Sequence, residues 1–378
     1  MNRSGVAGII GVVLVLSLGG VAYVAWASNR VDDEIATREA RALEAIENFS
    51  THQDESGPAS TAEREAGEAS DQGEAAPVEP SPIEPGAVVG INRVPGDDYG
   101  RVVVLHADGT RQLLERRCER LHIAAQLGIC VSREESFGLA TFTARYLDAA
   151  DTELREVRNF PSQLPSRARV SPSGTLVSTT AFVTGTSYAD IGGEAETLAI
   201  VDEADASTNL RGLTQFEVLS RDDRYQGVVG EYWGVSFVDE DQFWVTGFFG
   251  EEPEVLEGSV SRGVLTPSGL AGSCPSVSPD GSTLVFKRLQ DDGEGFDLVA
   301  ANLDSGTTWL LGESRSVDDQ VEWLDDDTIL YALHTNSVEE GGAAVAQPQF
   351  DIWSLDIAEG SEPQLFLPAA DSPAAIRE

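Results

Sequence analysis

From Ala87 onward a tight polar turn followed by a short apolar strand keeps returning, and that recurrence restricts the fold of this chain more than any other feature. The best copy is Ser278-Pro279-Asp280-Gly281, then STLVFKR, then GEGFDLVAANLDSGTTWLL. The same order starts at Ser171-Pro172-Ser173-Gly174 and at Trp323-Leu324-Asp325-Asp326, more weakly at Phe237-Val238-Asp239-Glu240, and faintly at Ala125. These starts lie 46, 66, 41 and 45 residues apart, the long interval carrying the insert TGTSYADIGGEAE. In the best copy Pro279 presets φ for the first central position of a type I turn, Asp280 follows, and Gly281 takes the positive φ that closes a hairpin. No amphipathic helix interrupts the pattern. One hairpin plus two further strands per roughly 40–50 residues is the signature of a four-stranded β-propeller blade.

Five turns supply five inner hairpins. A sixth inner strand is available in DSPAAI, Asp371 to Ile376, with AVVGINRV, YGRVVVLHADG and TRQLLER as its three partners. The expectation is therefore an all-β propeller of six four-stranded blades, with seven as the alternative count, closed by pairing the last strand with the first, which removes the open sheet edge. The turns and strands resemble the TolB-type, WD40-like propeller repeat across roughly residues 87–378, most clearly at 274–312. The resemblance implies an interaction module, although a shared fold does not transfer function.

Ahead of this region stands a single uncharged apolar run, Ser4 to Asn29. Its core, Val6 to Ala27, would be about 33 Å long as a helix at ~1.5 Å per residue. That matches the roughly 30 Å hydrocarbon thickness of a bilayer. Residues 1–30 are thus expected to be a transmembrane anchor, with Arg3 and the N-terminal amine inside and Asp32, Asp33 and Glu34 outside. The alternative is a secretory signal cleaved after Ala27, where Ala25-Trp26-Ala27 has the small-x-small pattern. Both place the propeller outside the cytoplasm. Residues 31–49 have Ile35, Leu43, Ile46 and Phe49 near helical spacing and read as a juxtamembrane helix. Residues 50–86 are Glu, Ala, Ser, Pro and Gly with almost no large apolar side chain, a composition that cannot bury enough surface to order itself. As a flexible tether of this length it would span roughly 30–40 Å.

The formal charge is −39, from 25 Lys+Arg against 64 Asp+Glu, and Lys287 is the only lysine. Such acidity excludes nucleic acid as a partner class, because phosphate binding needs basic patches. Three cysteines are present, and Cys118 with Cys130 is the nearest pair. In an oxidising compartment a disulfide there would contribute roughly 3 kcal/mol.

The chemistry-bearing residues form no recognisable catalytic set. There is no G-x-S-x-G elbow and no HExxH. His52, His106, His122 and His334 are scattered, which suits structural or surface roles. The Asp-rich loops FVDEDQ, LQDDGEGFD and WLDDDT carry oxygen ligands of the kind Ca²⁺ takes, without EF-hand spacing. The simpler role for those aspartates is capping turns. Tyr232, Trp233, Phe237, Phe243, Trp244, Phe248 and Phe249 fall within eighteen residues. A core role between blades accounts for most of them. Tyr232, Trp233, Trp244, Phe248 and Phe249 are also the candidate partner anchors, because adjacent Phe243 and Trp244 put aromatics on both faces of one strand. The insert around Tyr188 to Glu194 is a candidate binding loop. The expected function is a non-catalytic protein-interaction or envelope-binding module. The alternatives are a ligand-binding sensor, or a lyase or hydrolase acting in the axial channel.

Overall fold

The computed structural model describes residues 83–124, 127–136, 139–148, 153–160, 163–183, 197–203, 211–220, 222–225, 228, 230–250, 252–290, 293, 295–335 and 347–377. The expected anchor, the juxtamembrane helix, nearly all of the tether and the insert at Tyr188 to Glu194 lie outside the described residues. Among the described residues no helix is long and apolar enough to cross a membrane.

The polar turns fold as their residue types dictate. Ser278 is the organiser of the best copy. Its carbonyl accepts from the Gly281 amide (2.9 Å) and its Oγ from the Thr283 amide (3.0 Å). Ser278 Oγ in turn donates to Asp280 Oδ1 at 2.6 Å. Gly281 has φ 74° and the corresponding Gly174 has φ 81°, a region that costs a side-chain-bearing residue energy. Ser171 repeats the arrangement, accepting from Gly174 N–H (2.9 Å) and, at Oγ, from Leu176 N–H (3.0 Å). Where Pro and Gly are missing, an aspartate does the same work. Asp325 Oδ1 accepts from the amides of Asp327 (3.0 Å) and Thr328 (2.8 Å), and Asp239 Oδ1 from those of Asp241 (2.8 Å) and Gln242 (2.6 Å). The degenerate repeat is one turn solved with two chemistries. Ser278→Ala, which removes an acceptor from a buried amide, is expected to lower stability by about 1 kcal/mol in equilibrium urea unfolding.

These hairpins build six sheets. The first pairs the strands Ala370–Ala375, Val88–Asn92, Arg101–Leu105 and Arg111–Arg117. The second runs Arg120–Ala124, Leu127–Ser136, Leu139–Asp148, Glu153–Phe160, and the third Gln163–Val170, Leu176–Val183, Thr197–Glu203, Arg211–Gly212. The fourth runs Glu231–Phe237, Gln242–Phe248, Glu254–Ser259, Val264–Ala271, with the two-residue strand Glu217–Val218 added in parallel at its outer edge. The fifth is Ser273–Val277, Thr283–Leu289, Phe296–Asn302, Thr308–Leu310, and the sixth Glu322–Trp323, Thr328–His334, Phe350–Asp356, Gln364–Leu367. The last strand of the chain pairs antiparallel with the first, Val88 opposite Ala375 and Asn92 opposite Ala370.

Each neighbouring pair of sheets shares one apolar cluster. Val104 and Ile123 belong to the cluster between the first and second sheets, and Ile129 and Ala168 to that between the second and third. Leu176 meets Phe243 between the third and fourth, and Val255 meets Phe286 between the fourth and fifth. Val285 meets Tyr331 between the fifth and sixth, and Leu330 meets Val88 between the sixth and first. The sheets thus follow one another around a closed circle. Cys118 and Cys130 are joined by a disulfide that ties the crossover after the first sheet to a strand of the second. Cys274 is unpaired and buried.

Candidate functional site

The first strand of each sheet faces the centre of this circle, and the centre is polar. The stretch Asp318–Trp323, which leads into the sixth sheet, bonds to the innermost strands of all five others. Arg167 Nη2 donates to Asp318 O at 2.7 Å, and Arg169 Nη2 to Gln320 O (3.2 Å) and Val321 O (3.1 Å), both from the third sheet. Gln320 Nε2 donates to the carbonyls of Gly234 (3.1 Å) and Val235 (3.3 Å) in the fourth sheet and of Pro275 (2.8 Å) in the fifth. Trp323, fully buried, donates from Nε1 to Ser276 O at 3.1 Å.

Glu322 completes the set. His122 of the second sheet lies 3.2 Å from its Oε2, Arg377 Nη2 3.0 Å from its Oε1, and Arg169 Nη2 3.9 Å from Oε2. The Ala375 amide of the first sheet approaches Oε1 at 3.5 Å. Arg377 also donates to Trp323 O. His122 Nδ1 accepts from the Val170 amide at 3.1 Å, so the ring is neutral and its proton sits on Nε2, directed at Glu322.

Burial decides the protonation of both partners. It pushes the His122 imidazole below its usual range, an effect that outweighs the attraction of Glu322. Burial also acts to raise the Glu322 carboxyl, but His122, Arg377 and Arg169 override it and hold the group at about 2. Both folded-state values are depressed, so both groups contribute stability that is present at neutral pH and lost on acidification. His122 contributes that loss as pH falls below its unfolded value of about 6.5, and Glu322 from about 4.5 down toward 2. Unfolding free energy measured between pH 7 and pH 3 is expected to fall continuously. A flat profile would show that these two groups are not held as described.

A second buried pair stands nearby. Arg93 Nε lies 3.0 Å from Asp371 Oδ2 on the last strand, with the guanidinium 5.1 Å from the Tyr99 ring. The only lysine, Lys287, is buried to 1% side-chain exposure and pairs with Asp318 Oδ1 at 3.1 Å.

The remaining sequence candidates are dispersed. His106 bonds Gln112 Oε1 through Nε2 (2.8 Å), and His334 stacks on Phe350 with ring centroids 4.0 Å apart. His52 lies outside the described residues. Of the proposed anchors, Tyr232, Trp233 and Phe248 are 3%, 5% and 7% exposed and present no surface to a partner. Phe249 is half-buried against the cluster that holds Tyr232, and Trp244 against the cluster between the fourth and fifth sheets. The reason is register. Tyr232 and Trp233 sit on the innermost strand of the fourth sheet and Phe248 on the strand beside it, where both faces are covered by neighbouring sheets. Asp239 and Asp325, in two of the acidic loops, use their carboxylates on turn amides. Asp291 and Asp292 of the third loop lie outside the described residues. Among the described residues no group of three or more His, Cys, Asp or Glu could hold a metal ion.

The hub residues Arg167, Arg169, Gln320, Glu322 and Arg377 were not singled out from sequence. The one available signal was SRARV at 166–170, where arginines alternate on a strand otherwise made for burial. Two cations on one face of such a strand imply acceptors opposite them.

No family model matches the chain, and no curated protein matches it in sequence. Solved structures do match. TolB from Acinetobacter baumannii superposes with TM-score 0.50 at 15% identity, over 77% of this chain and 66% of that one. The chain therefore spans just under two-thirds of that protein's length. A putative TolB from Agrobacterium tumefaciens gives 0.45 at 13% identity over 77% and 92%, and an oligogalacturonate lyase from Vibrio parahaemolyticus 0.43 at 10% over 72% and 78%. At such identities the first of these likenesses carries the fold alone, and the fold it carries is an all-β propeller similar to that of TolB.

Proposed function

We propose that this chain is a non-catalytic protein-interaction or envelope-binding module, a propeller of six blades held outside the cytoplasm by an N-terminal anchor and an acidic tether. Each of the six sheets is read as one blade. The observation that carries the reading is the state of the axis. The polar side chains that converge there are bonded to one another and to main-chain groups of neighbouring sheets. They serve the ring, and recognition falls to its faces and loops. The apolar run Ser4 to Asn29 and the tether at 50–86 support the location.

The test is affinity capture from detergent-solubilised native envelope with the full chain as bait, followed by reconstitution from purified components. A captured protein that rebinds the purified chain with micromolar affinity or better supports the reading. A chain that reconstitutes with no captured candidate, and that turns over a compound in a substrate screen, is an enzyme instead.

A further inference from the structure

The connections between sheets are unequal. Only Gly272 separates the fourth sheet from the fifth, and two residues separate the first from the second and the sixth from the first. Between Leu310 of the fifth and Glu322 of the sixth lie residues 311–321. That extra length turns inward. Val317 and Val321 are buried, and Asp318 to Val321 lie across the centre, fastened to the third, fourth and fifth sheets by Arg167, Arg169 and Gln320.

We propose that residues 318–321 are a plug. They seal the bore of the ring, with Gln320 as the positioning residue that fastens them, so that a ligand reaches the faces of the propeller and enters the bore only when this segment withdraws. The inference rests on reading the six sheets as one closed ring, and not on the nature of any partner.

Two features distinguish a plug from ordinary core. Residues 318–320 are held at the axis by polar contacts, hydrogen bonds from Arg167, Arg169 and Gln320 and ion pairs of Asp318 with Lys287 and of Asp319 with Arg167, and only Val321 joins an apolar cluster. The largest number of these hydrogen bonds made by one side chain come from the Gln320 amide, which serves three carbonyls on two sheets. The fastening is also incomplete. Gln320 Oε1 is buried and has no partner among the described residues, so part of the burial is uncompensated. At the plug's outer end the Asp318 side chain is 69% exposed while the Lys287 that holds it is buried, which leaves the carboxylate reachable from solvent.

Hydrogen–deuterium exchange on the full chain tests this, comparing the natural sequence with Gln320→Ala and Gln320→Glu. The glutamate keeps the size of the side chain but turns an oxygen toward three carbonyl oxygens. In both variants the amides of 318–321, and the Ala332 amide that donates to Asp319 Oδ2 (3.1 Å), are expected to exchange at least about tenfold faster, while the other amides of the flanking strands Thr283–Leu289 and Thr328–His334 stay within about twofold, as for a locally opening unit. Unchanged exchange at 318–321 in both variants overturns the proposal. So does an equal acceleration of the flanking strands, which would make the segment inseparable from the core. Exchange of Val88–Asn92 and Ala370–Ala375 in the natural chain reports separately on ring closure, and rapid exchange there would overturn the ring reading itself.

Discussion

Glu322→Ala is expected to destabilise the full chain by about 3–5 kcal/mol, because it leaves buried positive charge without its counter-charge. Arg169 is almost fully buried and reaches Glu322 and two main-chain carbonyls, while His122 aims its Nε2 proton at the same carboxylate. With the carboxylate gone, Arg169 keeps its carbonyl acceptors and the weaker attraction of Asp319 but loses its main counter-charge, and His122 loses its acceptor. Glu322→Gln keeps the size and one oxygen, so its loss is expected to be smaller. Arg377→Ala should cost less again, since that side chain is 43% exposed and its partner retains Arg169 and His122. Equilibrium urea unfolding of the three variants orders them. A cost below about 1 kcal/mol for Glu322→Ala would mean that the carboxylate is not what holds these cations in the centre.

Phe243→Ala should cost about 3–5 kcal/mol by opening a cavity in a packed interior. Phe243 is fully buried, edge-on to Phe216 and Phe237 at centroid distances of 6.0 and 6.4 Å. Its ring lies over Gly258 on the neighbouring strand, where an added Cβ would come within 2.2 Å of Cζ. Gly258→Ala is therefore expected to be destabilising too, by about 1–3 kcal/mol through overpacking. The same logic covers Tyr232, Trp233 and Phe248, whose replacement by alanine should register in thermal and urea unfolding. A variant of any of these three that kept full stability but lost binding to a reconstituted partner would return the segment to the surface role.

The aromatic segment illustrates what a sequence window carries. Its density of large apolar side chains is visible in the letters, and so is the strand that bears them. Which face is covered depends on whether a second sheet lies on each side, and that is a property of the ring. Phe243 and Trp244, adjacent and pointing to opposite faces, look like one buried and one exposed residue in an ordinary sheet. In a propeller blade the two faces meet two neighbouring blades, and both are covered to different degrees.

Local order was legible because local chemistry makes it. Ser-Pro-Asp-Gly writes a turn through a fixed φ, a left-handed glycine and a side-chain oxygen that reaches the next amides, and all of these act within six residues. The spacing of such turns marked the hairpins that begin near Ser171, Phe237, Ser278 and Trp323, and the strands left over at the two ends of the domain pointed to the pairing of Val88–Asn92 with Ala370–Ala375 that forms. The Cys118–Cys130 pair, twelve residues apart, was within reach of the same short-range reasoning. The centre was not. Glu322 meets Arg169 across 153 positions, and His122 meets Glu322 across 200. No periodicity marks such partners, because each lies on the inner strand of a different sheet and they converge only when the ring closes. The sequence of this protein specified turns, strands and their pairing through forces that act between near neighbours. The tertiary structure alone decided which charges share the axis, because only ring closure brings them within Coulombic and hydrogen-bonding range.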